Sequence, residues 1–351
     1  MARSKNSVTQ KDVAKHAGVS SAVVSYVINN GPRIVAEETR QRVLKAIEEL
    51  GYRPNKFAQS LKAEGHQAER QIGIVVGGTT AMLKRPYYGA ILAGIYDEAY
   101  KQSKRIRFVH FIEELHDPVL FNEHVHSEEI SSLILLSPHL ALEHDKNRHV
   151  FESMVDRIKH IVCLEKSVFD LPAVTFDREE AAYKAVSHLI KLGHHTIAYL
   201  GRADDRHTGY LKASREYGLP INQSFSIHPG NQNSLREGYT GAEMLVRLEK
   251  LPTAFFAAND EIAIGAMSAL QNAGLRVPGD IAIVSVDDTE MASLVRPALS
   301  TIHVPVEQMG SYTLRMLETM AVHENDPLLS VVLPTELIIR DSCGSRSQQN
   351  L

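Results

Sequence analysis

Three side chains with different contact chemistry, Ser21, Ala22 and Tyr26, lie within a six-residue stretch near the N-terminus. A serine hydroxyl can hydrogen-bond a base edge, an alanine methyl can pack against a thymine methyl, and a tyrosine hydroxyl can bond once. None of them offers the bidentate contact that Arg makes to guanine or Gln to adenine. These residues therefore predict a nucleic-acid contact with weak direct readout. The alternative for Tyr26 is a place in a protein core.

The pattern around these residues predicts two short helices joined by a tight turn. Thr9 followed three positions later by Asp12 is typical of a helix start, and Gly18 is typical of its end. Ser20 can cap a second helix that directs four apolar residues inward, namely Val23, Val24, Val27 and Ile28. This second helix has the size and position expected of one that enters a DNA major groove.

A third helix is predicted from about Glu37 to Leu50, with Gly51 as its stop. The three helices together predict an all-α helix-turn-helix headpiece over residues 1–53, and a small helical subdomain without a ligand is the alternative. Ser25 lies beside the residues expected to face the bases. Four further polar residues are candidates for contacts to phosphate, namely Thr9, Ser20, Asn29 and Tyr52.

Charge is distributed unevenly along the 351 residues, although the net charge is only −4. Residues 1–66 contain eleven Lys and Arg against six Asp and Glu, a net charge of +5, and the remainder has a net charge of −9. A basic segment joined to an acidic body favours phosphate binding at the N-terminal end.

Beyond residue 70, apolar runs of strand type alternate with helical patterns, beginning with Ile72–Val76 and a helix at about Tyr88–Gln102. Continuous apolar strands separated by helices predict parallel, doubly wound sheets. Because the runs form two series, we expect a bilobed α/β body over residues 71–340, with the division between 163 and 175. Ligands of such folds bind at the carboxyl ends of the strands. Residues 341–351 are predicted to be a disordered tail.

The composition also indicates the cellular compartment. No run of eighteen apolar residues occurs and the N-terminus is polar, so the sequence predicts neither a membrane span nor a secretory signal. The two cysteines, Cys163 and Cys343, form no CxxC motif, which fits a reducing cytoplasm.

Dense, ordered runs of residues resemble the lactose-repressor (LacI/GalR) family of transcription regulators. In the headpiece they are Val8–Ala14, Ala17–Ser20, Val24–Asn29, Glu38–Arg40 and Gly51–Asn55, with Ala58 and Leu61. In the body they are His188–His194, Ala257–Asp260, Ile283–Asp288, Leu299–Ile302 and Leu337–Arg340. The resemblance covers nearly all of residues 8–340. It implies a headpiece, a hinge helix and a body like the periplasmic binding proteins.

The resemblance implies that residues 54–70 form the hinge helix and a linker, with Asn55 as a cap and Ala58 within the helix. In the family this helix pairs with its twin in a dimer and enters the minor groove, and Leu61 occupies the position of the leucine wedge that kinks the duplex. Without the resemblance, a plain linker helix is an equal alternative. We expect hinge insertion and DNA deformability to carry a large share of the specificity.

Four residues match positions of the family's effector pocket, namely Glu165, Arg206, Asn259 and Asp287. Arg206 begins an R-x-x-G-aromatic pattern, and Asn259 and Asp287 each follow a predicted strand, where polar groups can converge on a hydroxylated ligand. Glu165 stands where the family usually has an aspartate. Each residue could instead cap a loop or helix, as Asn259 could at the helix that follows it.

Some family members stack a ring on an aromatic residue five positions before the pair that is Gly238–Tyr239 here. This chain has Asn233 at that position, which disfavours a flat stacking site there. Tyr87 or Tyr88 could supply a ring face instead, so the predicted pocket includes Tyr87 and Asn233. The effector is expected to be a small molecule such as a sugar or sugar derivative.

Motifs of enzymes and metal sites are missing from the sequence. The seventeen histidines include His124-x-His126 and the spaced His139, His144 and His149, but no HExxH or zinc-finger spacing occurs, and these segments are expected to be solvated. No G-x-S-x-G elbow or G-x-G-x-x-G fingerprint is found. The sequence therefore predicts no enzyme, no metal site and no cofactor.

These observations predict a cytoplasmic, ligand-responsive repressor that binds a pseudo-palindromic operator as a homodimer, or as a tetramer. An effector in the cleft is expected to shift the lobes and thereby the hinge around Leu61. Two alternatives remain open at this point. One is a sugar-type solute-binding protein with the same bilobed body, and the other is a regulator controlled by a protein co-regulator.

Overall fold

The computed structural model describes residues 8–28, 35–52, 71–142, 145–322 and 330–345. The chain divides into two compact units. The first unit comprises the residues up to Thr175 together with Glu307–Val331, and the second comprises Phe176–Val306 together with the residues from Val332 onward. The chain therefore passes between the units three times, and the first passage lies at the end of the range that the sequence predicts.

Three helices begin the first unit: α1 (Gln10–Ala17), α2 (Ser21–Ile28) and α3 (Glu37–Leu50). Thr9 and Asp12 form a reciprocal capping box at the start of α1, in which Thr9 N donates to Asp12 Oδ2 at 2.8 Å. Gly18 and Gly51 end α1 and α3 in the left-handed region, which glycine enters without strain. The predicted starts and stops of these helices are confirmed.

The headpiece formed by α1, α2 and α3 has a core of its own. Its fully buried side chains come from all three helices and include Val13, Val24, Val43 and Ile47. Val23, Ile28 and Leu50 pack against this core as partly buried residues. Burial of branched aliphatic side chains from three short helices supplies the stability that none of these helices has alone.

The remaining helices and strands form two six-stranded sheets with their helices. In chain order, the helices are α4 (Pro86–Lys101), α5 (Pro118–His124), α6 (Asp145–Arg157), α7 (Arg178–Lys191), α8 (Asp205–Glu216), α9 (Leu235–Val246), α10 (Asp260–Asn272), α11 (Glu290–Leu294) and α12 (Val306–Val322). The strands are β1 (Gln71–Val76), β2 (Arg105–Phe111), β3 (Ser132–Leu136), β4 (His160–Leu164), β5 (Ala173–Phe176), β6 (Ile197–Leu200), β7 (Ser226–Ile227), β8 (Ala254–Ala257), β9 (Ala282–Asp287), β10 (Ser300–His303), β11 (Val331–Leu333) and β12 (Glu336–Ile338).

The strand order is β11-β5-β4-β3-β1-β2 in the first sheet and β12-β10-β9-β8-β6-β7 in the second. Pairs among β1–β5 and among β6–β10 are parallel, and β12 runs antiparallel to β10. Every residue of β3, β8 and β9 is buried, as expected for strands covered on both faces. The predicted fold class is confirmed, with a parallel sheet in each lobe.

The structure differs from the sequence prediction at the C-terminal end. Ser342 is fully buried; its Oγ donates to Ile283 O at 2.7 Å and accepts from Ser300 N at 2.8 Å. Ile283 N donates in turn to Ser342 O at 2.9 Å. These bonds pack residues 341–345 against β9 and β10, so the prediction of a disordered tail from 341 is wrong for this segment. Residues 346–351 lie outside the described ranges.

Within the described ranges, no helix combines the length and the apolar character needed to cross a membrane.

Candidate functional site

The exposed side of α2 holds the residues predicted to face base edges. Val24 and Val27 are buried on the core side of the helix, whereas Ala22 is exposed and Ser21, Ser25 and Tyr26 are half-buried. This side contains small residues and one phenol, and α2 contains no Arg, Lys, Asn or Gln. The helix therefore offers hydroxyl and methyl contacts to a groove, and no bidentate contact.

Two of the predicted phosphate contacts, Thr9 and Ser20, are exposed helix caps. Thr9 Oγ1 donates to Asp12 Oδ2 at 2.6 Å, and Ser20 Oγ accepts from Val23 N at 3.4 Å. Hydrogen bonds from Thr9 lower the pKa of the Asp12 carboxyl, so Asp12 stays ionised near neutral pH. Helix N-termini attract phosphate through their free N–H groups, which is compatible with the predicted role of Ser20, whereas at α1 the Asp12 carboxylate already accepts from the Thr9 N–H.

Tyr52 lies in a different environment from the one expected of a phosphate contact. It is 2% exposed, belongs to the headpiece core and hydrogen-bonds Gln10. Burial raises the pKa of its phenol. The observed role of Tyr52 is thus packing in the core. The packing of α1 against α3 brings Gln10, at the start of α1, next to Tyr52, which follows the end of α3. Four other predicted DNA contacts lie outside the described residues: Asn29, Asn55, Ala58 and Leu61.

In the second unit, loops at the carboxyl ends of β6 and β8 meet at Asn233. Asn233 Oδ1 accepts from Arg202 N at 3.0 Å, and Asn233 O accepts from Asn259 Nδ2 at 3.0 Å. Asn259 Oδ1 also caps α10 by accepting from Ile262 N at 2.9 Å. Asn233 has a φ of 53°, a left-handed conformation that asparagine tolerates better than an aromatic residue. Both asparagines are buried and take part in bonds that join these loops.

Arg206 lies in the first turn of α8, directly beside the helix cap Asp204. Arg206 Nε donates to Asp204 Oδ1 at 3.1 Å, Nη2 donates to Oδ2 at 2.5 Å, and Nη1 donates to Ala258 O at 2.9 Å. Burial opposes charge on both residues, but their mutual attraction outweighs it. It raises the pKa of Arg206 and lowers the pKa of Asp204, so both stay charged.

Asp287 is the last residue of β9 and has a φ of 124°, which a non-glycine residue rarely adopts. Its charge helps to raise the pKa of Arg206, so the two residues interact electrostatically. The buried carboxylate of Asp260 accepts hydrogen bonds from residues on both sides of Asp287. It accepts from Ser285 Oγ at 2.6 Å and from Thr289 N at 2.7 Å. The structure thus brings Arg206, Asn233, Asn259 and Asp287 to one end of the second sheet.

The other two predicted effector residues, Glu165 and Tyr87, belong to the first unit. Glu165 follows β4, is 4% exposed and accepts a hydrogen bond from Ser137 Oγ. Tyr87 lies in the first turn of α4, with its ring edge-to-face with Tyr88 at a centroid distance of 5.1 Å. A role of either residue in effector binding stays a prediction.

Comparison with known proteins identifies the family. Residues 9–55 match the bacterial regulatory proteins of the lacI family, and residues 186–343 match the periplasmic binding protein-like domain. The HTH-type transcriptional repressor MelR of Bacillus subtilis (strain 168) is 32% identical, over 97% of this chain and 98% of MelR. This chain belongs to the LacI family.

Two solved structures resemble this LacI-family chain along nearly its whole length. One is the complex of the transcriptional regulator CelR with cellobiose, with a TM-score of 0.67 and 26% identity over 95% of this chain and 99% of CelR. The other is the lac repressor dimer bound to operator and the anti-inducer ONPF, with a TM-score of 0.67 and 28% identity over 96% of this chain and 99% of that chain. The sequence prediction of a DNA-binding transcription regulator is confirmed.

Sequence reasoning missed Asp204, although it recognised the R-x-x-G-aromatic pattern that begins two residues later. Asp204 is the cap of α8, and the pair Asp204–Asp205 before a predicted helix was the available signal. The sequence could not show that the cap carboxylate also holds the Arg206 side chain. That contact depends on the backbone conformation of the loop after β6 in this LacI-family body.

Proposed function

We propose that this LacI-family protein represses transcription as a homodimer on a pseudo-palindromic operator, and that a small polyhydroxy effector changes its operator affinity. The observation that supports the proposal most directly is the exposed side of α2, on a headpiece whose helix caps and core match the sequence prediction. A protein that binds DNA in this way is expected in the cytoplasm. Because the family match includes the headpiece, the alternative of an exported solute-binding protein has no support.

The contact surface of α2 supports a dimer. Ser21, Ala22, Ser25 and Tyr26 offer few specific contacts, and a single headpiece buries a small interface on DNA. Two headpieces related by a two-fold axis would bind two half-sites, and their binding free energies would add. The similar lac repressor structure is a dimer bound to operator, which supports the same assembly here. A tetramer would be recognised from its molecular mass in solution.

The polar cluster in the second unit supports a polyhydroxy effector. Arg206 and Asp287 offer donors and acceptors at the carboxyl ends of parallel strands, where ligands of α/β folds bind. The structure of CelR, which is similar over 95% of this chain, is a complex with cellobiose. Effector binding would change operator affinity through a coupling free energy, which for two linked sites is typically about 1–3 kcal/mol, or roughly 5- to 150-fold.

Selection of duplexes from a random pool by the full-length protein tests this proposal. We expect a palindrome with a flexible pyrimidine–purine step at its centre, because direct readout by α2 is weak. Binding should weaken steeply as the salt concentration rises, since phosphate contacts release counterions. The selected duplex is then titrated with the protein and candidate effectors, beginning with cellobiose. Failure to enrich any sequence would contradict the proposal.

A further inference from the structure

We infer that Asp204 makes the effector site of this protein selective against anions, so that the site accepts uncharged polyhydroxy compounds and rejects phosphorylated or carboxylated ones. The inference rests on the proposed function, because it takes Arg206 to be part of the effector site. It goes beyond that function by assigning a specificity role to a residue outside the predicted pocket.

The geometry of Arg206 is the first argument. Arginine recognises phosphates and carboxylates through two parallel N–H donors on one edge of the guanidinium. In this protein Asp204 occupies one such edge, with Nε–Oδ1 at 3.1 Å and Nη2–Oδ2 at 2.5 Å. Nη1 donates a third bond to Ala258 O at 2.9 Å. Of the five N–H donors, two are left for a ligand.

Burial is the second argument. The side chain of Arg206 is 12% exposed and that of Asp204 is 26% exposed. An anionic ligand that took this edge would have to displace Asp204, which would leave a partly buried carboxylate without its partner and next to the new negative charge. Asp204 also caps α8 by accepting from Arg206 N at 3.0 Å, so the helix start holds it in place. Displacement would break both interactions.

The local charge is the third argument. Both Asp204 and Asp287 act electrostatically on Arg206, and Arg178 acts in addition on Asp204. The lowered pKa of Asp204 keeps its carboxylate ionised at neutral pH. An anion bound at Arg206 would lie beside both carboxylates, whereas a hydroxyl group can donate to a carboxylate and accept from one of the two remaining N–H donors. The cluster therefore matches the hydrogen-bonding chemistry of an uncharged polyol.

Inorganic phosphate is a suitable probe, because it needs no knowledge of the natural effector. We would measure phosphate binding to the full-length protein and its Asp204→Asn variant by equilibrium dialysis at constant ionic strength. Asparagine retains the ability to cap α8 but removes the charge that pairs with Arg206. We expect the Arg206 site of Asp204→Asn to bind phosphate about tenfold or more tightly than the same site of the wild type. The additional binding should disappear in Asp204→Asn/Arg206→Gln.

Asp280→Asn provides a matched control. Asp280 forms a similar two-bond pair with Arg276, with Nε–Oδ2 and Nη2–Oδ1 both at 3.0 Å, but the Arg276 side chain is 78% exposed. Removal of this carboxylate frees a solvated guanidinium, which should not create a saturable phosphate site. Phosphate bound by the basic headpiece is common to all variants and cancels in the comparison.

Two results would overturn the inference. One is Arg206-dependent phosphate binding by the wild type as tight as that of Asp204→Asn, and the other is a folded Asp204→Asn protein that gains no phosphate site. Asp204→Ser, which also retains a cap, replaces Asp204→Asn if the latter does not fold. Failure of the proposed function would show separately, as the absence of a selected operator, because the phosphate measurement uses no DNA.

Discussion

Tyr26 and Tyr52 are both tyrosines of the headpiece, but only Tyr26 is open to solvent. We predict that Tyr26→Phe weakens operator binding by about 2- to 10-fold, because one neutral hydrogen bond contributes about 0.5–1.5 kcal/mol. Fluorescence anisotropy with the selected duplex measures the effect. Tyr52→Phe is the control and should leave affinity unchanged. Equal affinities for wild type and Tyr26→Phe would mean that the Tyr26 hydroxyl does not contact DNA.

His124 provides a pH-dependent prediction. It is partly buried on α5, with His110 Nε2 at 3.1 Å from its Nδ1, rather than on the solvated surface that the sequence indicated. Burial and, secondarily, the neighbouring His110 lower the pKa of His124 below its usual value. The unfolded chain therefore binds a proton at His124 more readily than the folded protein does. The contribution of neutral His124 to the free energy of unfolding is complete above a pH of about 6.5 and declines as the pH falls below that value.

Chemical denaturation at several pH values between 8 and 5.5 tests this prediction. The free energy of unfolding of the wild type should fall more steeply with decreasing pH than that of His124→Gln, which cannot take up the proton. Parallel pH profiles of the two proteins would show that His124 is not the group responsible.

Single residues also show which parts of the site the sequence could predict. Asn259 and Asp287 were predicted as site residues because they match the effector pocket of the resembling family, and because each follows an apolar strand whose end is visible as a local pattern. The Asp204–Arg206 pair was not predicted because it depends on the backbone conformation of the loop after β6, and the burial of Tyr52 and the bond of Arg206 to Ala258 were not because they depend on how distant parts of the chain pack. Gln10 reaches Tyr52 across the headpiece, and Ala258 reaches Arg206 from another strand.

The next scale is that of helices, and α4 contains two glycines in contrasting environments. A Cβ on Gly94 would lie 2.0 Å from the carbonyl oxygen of Glu307 in α12, whereas one on Gly89 would meet no atom within 4 Å. We predict that Gly94→Ala destabilises the protein by about 1–3 kcal/mol, because the two helices must move apart. Gly89→Ala should stabilise it by about 0.5–1 kcal/mol through helix propensity.

Thermal unfolding followed by circular dichroism compares the two variants. Opposite shifts of the melting temperature are expected. Shifts of the same sign would contradict the close approach of α4 and α12.

The start of α10 gives a second prediction at this scale. Asn259→Ala removes the cap of α10 and the bond to Asn233 O, and should cost about 1–3 kcal/mol of stability. Asn259→Ser retains a cap and should cost less. Denaturant titrations measure both values, and equal losses would show that capping is not the main role of Asn259.

The predictability of the elements follows from how local their causes are. The caps at Thr9, Gly18 and Gly51 are set by neighbouring residues, so the headpiece helices were predicted to within one or two residues. The strand β10 begins with Ser300 and Thr301, and β11 and β12 have three residues each, so they lack the long apolar runs of β1 or β9. β10, β11 and β12 form because neighbouring strands of the same sheets supply their hydrogen-bonding partners. Such pairing between distant parts of the chain is not visible in a local sequence pattern.

At the scale of the whole molecule, we expect the two headpieces of a homodimer to bind the two half-sites of one operator simultaneously. We predict that a duplex in which one half-site is scrambled binds about 100-fold or more weakly than the intact palindrome, because one headpiece loses its specific contacts. Electrophoretic mobility shifts with full-length protein compare the two duplexes. Equal affinity for both would indicate that a monomer binds, and would contradict the homodimer.

The three passages of the chain between the units have a consequence for biosynthesis. Residues 176–306 leave the ribosome as one continuous stretch and contain most of the second unit, whereas the first sheet and its helices lack α12 and β11 until translation reaches Leu333. Ser311 Oγ, for example, donates to Gly94 O at 3.4 Å across 217 positions of the chain. Both units are therefore completed only late in translation, the first when α12 and β11 emerge and the second when β12 emerges. The partner helix of α4, α12, is absent throughout most of translation.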